Sequence, residues 1–181
     1  MNRSGYLELI IGPMFSGKTS TLLDHYRKYK VYNQKVCVIN YNGDNRYCES
    51  GMSTHDRIII ECYMTNTLKS VVESHVDDYD VFLINEGQFF KDIYKTVHYL
   101  VEIKKKTVHI AALDGNFKRK PMGDILKLIP LSDKVEKKHA ICTSCNDGTI
   151  AHFSKRITNN KNEILISTND YIAVCRKCYQ T

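Results

Sequence analysis

The sequence predicts an α/β protein, a parallel sheet with helices on both faces, carrying a small cysteine-bearing lobe at its C-terminal end. Three observations predict it: a glycine-containing loop set between a strand pattern and a helix pattern, apolar strand runs alternating with helical periods, and two Cys-x-x-Cys pairs near the end of the chain. Strands alternating with helices give parallel sheets with right-handed crossovers, and ligands then gather beyond the carboxyl ends of the strands.

Tyr6 to Ile11 reads as a buried strand, Gly12 to Thr19 as a loop, and Thr19 to about Lys30 as a helix burying Leu22, Leu23, Tyr26 and Tyr29. Val36 to Tyr41 supplies a second strand, and Arg57 to Cys62 a third after a loop rich in Asn, Gly and Ser. Val81 to Ile84 is a continuous apolar run, as expected of a strand in the middle of a parallel sheet. Ile93, Val97, Leu100 and Val101 share one face of a helix, and Thr107 to Leu113 follows as another strand. Near Ala140 the helical period fades and turn residues take over. A domain boundary is expected there, between residues 1–139 and a lobe over 140–181 too small to fold without a metal or a neighbour.

A chain of 181 residues with 43% hydrophobic and 25% charged residues is long enough to bury a core without disulfides. Its apolar runs fall far short of the roughly 20 residues that span a bilayer, so no membrane partner is expected. Met1 to Ser4 leads into a short strand without the features of a secretory leader, which points to the cytoplasm and to reduced thiols. The formal charge of +6 is modest and sits in short clusters such as Lys104-Lys105-Lys106 and Lys118-Arg119-Lys120. Such clusters suit a solvated face or attraction of polyanions, and composition does not separate nucleotides from nucleic acid.

Gly12-Pro13-Met14-Phe15-Ser16-Gly17-Lys18-Thr19 matches the phosphate-binding loop in full, between strand and helix as its mechanism requires. Backbone N–H groups cradle phosphates there, Lys18 reaches the β and γ oxygens of ATP, and Thr19 can ligate Mg²⁺. This makes the sheet a P-loop, RecA-like one and residues 1–139 its nucleotide-binding domain. Asn85-Glu86 ends the run Val81 to Ile84, and a carboxylate one residue past a strand tip is placed to accept a hydroxyl proton. Asn85 offers a neutral amide oxygen where an Asp would bring charge to Mg²⁺. Arg46, in the loop Asp44-Asn45-Arg46-Tyr47, either stabilises a transferring phosphoryl group or joins a surface ion pair. Cys142, Cys145, Cys175 and Cys178 read as a closed structural Zn²⁺ site, with a redox motif as the competing reading. Phe89-Phe90, Phe117 and Tyr171 lie near the expected functional edge, where a ring can stack on a base.

With these residues in place the sequence resembles the type II thymidine kinases, cytosolic cellular enzymes and their poxviral relatives. The resemblance runs through Ile10 to Thr19, Asp44 to Tyr47, Thr54-His-Asp56, Asn85 to Phe90, Ala111 to Gly115, Phe117 to Pro121, Ser154-Lys-Arg156 and Val174 to Tyr179, and the compact length looks poxvirus-like. It implies Mg²⁺-dependent transfer of the γ-phosphate of ATP to the 5′-hydroxyl of thymidine or deoxyuridine, in a homotetramer inhibited by thymidine triphosphate. It implies Glu86 as catalytic base assisted by Lys18 and Arg46. Asp44, Asn45, Arg46, Asn85, Glu86, Gly87 and Gln88 would surround nucleotide and metal. Met14, Phe89, Leu113, Phe117, Met122, Ser154 and Tyr171 would hold the nucleoside, with a zinc-anchored lasso comprising Asn162, Glu163, Ile164, Leu165 and Ile166.

Three positions depart from that family's pattern: Asn85 stands for an Asp, Met122 for an aromatic, and Ile166-Ser167 for a Gly-Gly pair in the lasso. Two other functions are expected to leave different traces. A nucleic-acid-dependent P-loop ATPase would grip its polymer through Lys155, Arg156, Arg176 and Lys177, whereas a nucleoside-binding protein would keep the pocket and lose turnover through Asn85. The favoured expectation is the kinase, with no nucleic-acid partner.

Overall fold

The computed structural model describes residues 4–43, 51–53, 59–159, 165–167 and 169–181. In chain order its elements are β1 (Tyr6–Ile11), α1 (Lys18–Val31), β2 (Val36–Tyr41), β3 (Gly51–Ser53), β4 (Ile59–Glu61), β5 (Tyr63–Thr65), α2 (Leu68–His75), β6 (Val81–Ile84), α3 (Ile93–His98), β7 (Thr107–Ala112), β8 (Lys134–Lys137), β9 (Ala140–Ile141), β10 (Ile150–Ala151), β11 (Phe153–Arg156), β12 (Tyr171–Val174) and α4 (Arg176–Gln180). Short 3-10 turns lie at Gly87–Phe89 and Ile125–Leu131, and a π turn over Tyr99–Ile103 continues α3.

Six strands make one parallel sheet in the order β5-β2-β6-β7-β1-β8. The connection after β1 runs toward β2, while the one after β7 runs the opposite way to β8. Adjacent strands whose connections diverge leave a crevice at their carboxyl ends, and the site below is built there. Successive side chains of a strand point to opposite faces, so each buried run feeds two cores. Ile10, Val38, Leu83 and Ala111 pack under Leu22 and Leu23 of α1. On the other face Leu9, Ile39, Ile84 and Ile110 meet Val71 of α2, Val97 of α3, Leu100 of the π turn and Leu128.

β1, β2 and β6 fall where the apolar runs predict them. The third expected strand is present as Ile59–Glu61, but among the described residues it pairs antiparallel with Gly51–Ser53, outside the sheet, and Tyr63–Thr65 takes the sheet's edge beside β2. A β-branched run favours extended backbone without choosing its partner. α2 and β8 escape sequence reading for different reasons. α2 has eight residues, too few for its period to stand out, and β8 is a polar edge strand, Lys-Val-Glu-Lys.

Beyond β8 the chain forms two small antiparallel pairs, β9 with β10 and β11 with β12, around a core that includes Cys142, Ala151, Val174 and Cys175. Hydrogen bonds join this region to loops of the sheet: Tyr179 Oη donates to Phe117 O at 2.8 Å, and Met14 N donates to Ser154 Oγ at 2.9 Å. Among the described residues no helix is long and apolar enough to cross a membrane.

Candidate active site

The loop after β1 is shaped by positions that exclude side chains. Gly12 has φ +149°, and a Cβ there would come within 2.4 Å of Lys138 O. Gly17 at φ +75° and Phe15 at φ +61° turn the chain through the left-handed region. Inside the loop, Ser16 Oγ and Lys18 Nζ both donate to Pro13 O, at 2.8 and 2.6 Å. α1 begins at Lys18 with no acidic residue in its first turn. The N–H groups of its first turn and the positive end of its dipole therefore face the loop, an arrangement that binds phosphate.

Thr19 Oγ1 donates to Asn85 Oδ1 at 3.3 Å, and Asn85 Nδ2 donates to Asn40 Oδ1 at 3.0 Å. Asn85 and Asn40 are both buried, so the amide is held with its nitrogen toward β2 and its oxygen toward the phosphate loop. Two neutral oxygens side by side suit a hard divalent cation that keeps several waters, and Mg²⁺ fits this position. Asn40 escaped the sequence reading; its only signal is a polar residue inside the apolar run of β2.

Glu86 sits just past β6 at φ 54°, ψ 39°, a left-handed conformation that costs a non-glycine residue about 1 kcal/mol. Its carboxylate is held from behind. Leu113 N donates to Gln88 Oε1 at 2.9 Å, and Gln88 Nε2 donates to Glu86 Oε2 at 2.5 Å. Gln88 is buried, so the backbone of the segment leaving β7 fixes the amide and the amide fixes the acid.

Glu86 forms one wall of a narrow pocket. The pocket brings together Met14, Phe89, Leu113, Phe117, Met122, Ser154, Leu165, Ile166 and Tyr171, all expected from sequence, and adds Gly115, Asn116 and Ser167. Phe90, read together with Phe89 as a ligand-facing ring, instead packs in the core at 1% exposure. Arg156 was not expected as part of the pocket's frame. Its guanidinium lies 3.8 Å from the centroid of Phe117 and hydrogen-bonds the Tyr171 hydroxyl, which locks the two rings in place. Asn116 Oδ1 accepts from Lys118 N and Lys120 N at 2.9 and 3.0 Å and so shapes the turn that presents Phe117. Asp44, Asn45, Arg46, Asn162, Glu163 and Ile164 lie outside the described residues.

The four cysteine sulfurs converge, every Sγ within 4.8 Å of the others, with Cys145 at 3.5 Å from Cys178 and 3.8 Å from Cys175. Zinc–sulfur bonds of about 2.3 Å in a tetrahedron separate the sulfurs by about 3.8 Å, so zinc fits with little movement. Cys142 Sγ also accepts from Cys175 N at 3.3 Å. Burial opposes ionisation of Cys142, but backbone N–H groups of Cys175, Cys145 and Ser144 hold its thiol down to about 6, which favours a thiolate ligand.

Of the four cations that a nucleic-acid reading would use, three make contacts within the cysteine-bearing region, and Lys177 is exposed. Lys155 Nζ donates to Cys178 O at 2.9 Å, Arg156 covers Phe117, and Arg176 lies 5.0 Å from the ring centroid of Phe153.

Comparison with known proteins places the chain among described sequences. A family model for thymidine kinase matches residues 5–179. The thymidine kinase of Sheeppox virus (strain KS-1) is 45% identical over 176 residues, which cover 97% of each chain. Those of Vaccinia virus (strain Western Reserve) and Monkeypox virus are 44% and 43% identical over the same share of each chain.

Proposed function

The chain belongs to the thymidine kinase family, alongside its poxviral members, and phosphorylates thymidine; from that premise we propose how its residues divide the work. The observation that carries the proposal is the position of Glu86, clamped by Gln88, in the wall of a pocket that also includes Met14 of the phosphate loop.

Thymidine enters the pocket with its base between Phe117, Tyr171 and Met14 and its 5′-hydroxyl toward Glu86. The apolar walls exclude water from the base edge, where a few hydrogen bonds then suffice for recognition. Ser154 already accepts from Met14 N, so it couples the phosphate loop to the nucleoside side of the pocket. The segment Leu165 to Ser167 closes the pocket with side chains where paired glycines would bring only backbone.

ATP lays its phosphates in the loop Gly12 to Thr19, with Lys18 leaving Pro13 O for the β and γ oxygens. Thr19 and Asn85 would hold Mg²⁺, which neutralises charge on the β and γ phosphates when bound. Glu86 takes the 5′-hydroxyl proton as the O5′–Pγ bond forms and the bond from Pγ to the β-phosphate oxygen breaks, leaving thymidine monophosphate, ADP and a protonated Glu86. We assign Arg46, with Asp44 and Asn45, to the nucleotide on family resemblance. The same resemblance underlies four further proposals: Zn²⁺ in the cysteine site as the structural tie of a lobe over 140–181, assembly as a homotetramer, inhibition by thymidine triphosphate, and a cytoplasmic location.

A coupled assay of ATP consumption over the four deoxynucleosides and deoxyuridine tests the assignment. Turnover is expected with thymidine and, more weakly, deoxyuridine; equal rates with purine nucleosides would remove the pocket from its role.

A further inference from the structure

Glu8 lies in the middle of β1, where period-2 alternation points it under α1 with Ile10. It is 1% exposed, the deepest charged side chain among the described residues. β1 registers it between His109 of β7 and Lys134 of β8. Its Oε2 receives His109 Nδ1 at 2.7 Å and His25 Nε2, from α1, at 3.1 Å, while Oε1 receives Lys134 Nζ at 2.6 Å. The two imidazoles stack with centroids 4.2 Å apart, and Tyr29 Oη lies 2.8 Å from His109 Nε2. None of these groups reaches the phosphate loop or the nucleoside pocket, so the activity leaves the cluster unexplained.

We infer that Glu8, His25 and His109 form a binding site for a divalent transition-metal ion of the zinc class, separate from the four-cysteine site. Two imidazoles and a carboxylate are a donor set that takes such ions, and all three ligand atoms lie within 4.8 Å of one another. Metal bonds of about 2.0–2.2 Å in a tetrahedron place ligand atoms about 3.3–3.6 Å apart, so the observed 2.7 and 3.1 Å separations need to open by roughly half an ångström. A supporting shell is present. Tyr29 at Nε2 fixes the orientation of the His109 ring and leaves Nδ1 to face the ion, the arrangement that holds ligating histidines elsewhere. Entry is open from one side, because the His25 side chain is 21% exposed, and a water completes the coordination there.

The competitor is Lys134, whose ammonium already balances Glu8. It is 53% exposed and has Glu136 at 3.8 Å to receive it, so it can give way to an ion. A bound ion would fasten α1 to β1 and β7, the three elements that frame the phosphate loop.

The test uses the intact protein, its metal content measured as purified, titrated with Co²⁺ or Zn²⁺ alone by calorimetry, visible absorption and thermal melting. Expected is an equivalent whose Co²⁺ spectrum lacks thiolate charge-transfer bands and whose binding raises Tm by several degrees. His25→Ala should weaken that equivalent roughly tenfold or more, and Lys134→Met should tighten it by removing the competing ammonium. Metal-free melting of His25→Ala checks its fold, and the Lys134→Met gain stands as an independent readout. The inference is overturned if no ion binds beyond the cysteines up to millimolar metal, or if binding is unchanged in His25→Ala, Glu8→Gln and Lys134→Met.

Discussion

Replacing Glu86 by Gln isolates the proton transfer from everything else the residue does. The amide has the same shape, and its oxygen can still accept the Gln88 N–H that now reaches Oε2 at 2.5 Å. What changes in the resting fold is one charge-assisted hydrogen bond becoming a neutral one, a loss of about 1 kcal/mol. What changes in the reaction is the base itself, and a positioned general base contributes about 10²–10⁴ in rate, or roughly 3–5 kcal/mol of barrier. The two scales are well separated. Single-turnover formation of thymidine monophosphate should therefore fall by about two to four decades, with ATP and thymidine affinities within about threefold of wild type. Glu86→Gly is the internal control, because it removes the acid while relieving the φ 54° conformation. It should be as inactive as the Gln variant, with the relief of about 1 kcal/mol of backbone strain offset by the loss of the Gln88 hydrogen bond. A Glu86→Gln enzyme that kept more than a tenth of the rate, or one that lost ATP binding together with turnover, would refute this account of the residue.

Other parts of the site give three further expectations. Gln88→Ala removes the link from Leu113 N to Glu86, so kcat should drop by about tenfold and its pH profile should shift, while a purely structural role would alter melting and leave the profile in place. Asn85→Asp adds charge beside Thr19 but removes the N–H that Asn40 accepts; Mg²⁺ affinity, followed by Mn²⁺ resonance, should rise less than tenfold, and adding Asn40→Lys should cancel the gain, because its ammonium pairs with the new carboxylate and repels the ion. Chelation of the cysteine site should abolish thymidine binding with little loss of ATP binding, because Ser154 and Tyr171 stand on β11 and β12 of the lobe whereas Gly12 to Thr19 belongs to the sheet; retained thymidine affinity in metal-free protein would contradict this.

Much of this was legible in the sequence, for reasons particular to each part. The phosphate loop is a local structure, with its glycines, its Lys18 and the following helix all within one short stretch, so its chemistry needs no distant partner to be recognised. The buried strands Val36–Tyr41 and Val81–Ile84 announce themselves because a strand covered on both faces is apolar at nearly every position. Four cysteines in two pairs state their own ligand count. The clamp on Glu86, by contrast, depends on Leu113 coming within reach of Gln88 across 25 residues, and the Asn40–Asn85 bond spans 45. Arg156 reads in sequence as a candidate grip on nucleic acid, and only β11 carries it over Phe117. Glu8 is a single carboxylate in the apolar run of β1, and only the packing of α1 and β7 brings two histidines to it. Contacts of this kind follow from topology, and no local pattern records them.

The central claim is that this chain moves a phosphoryl group from ATP to thymidine through the pocket beside Glu86. Transfer of label from γ-labelled ATP to the 5′-oxygen of thymidine, followed by the purified protein with Mg²⁺ varied, tests it most directly. The account predicts labelled thymidine monophosphate formed in step with ADP and absent when thymidine is withheld. ATP hydrolysis that ignores thymidine, or that rises with polynucleotide instead, would contradict it.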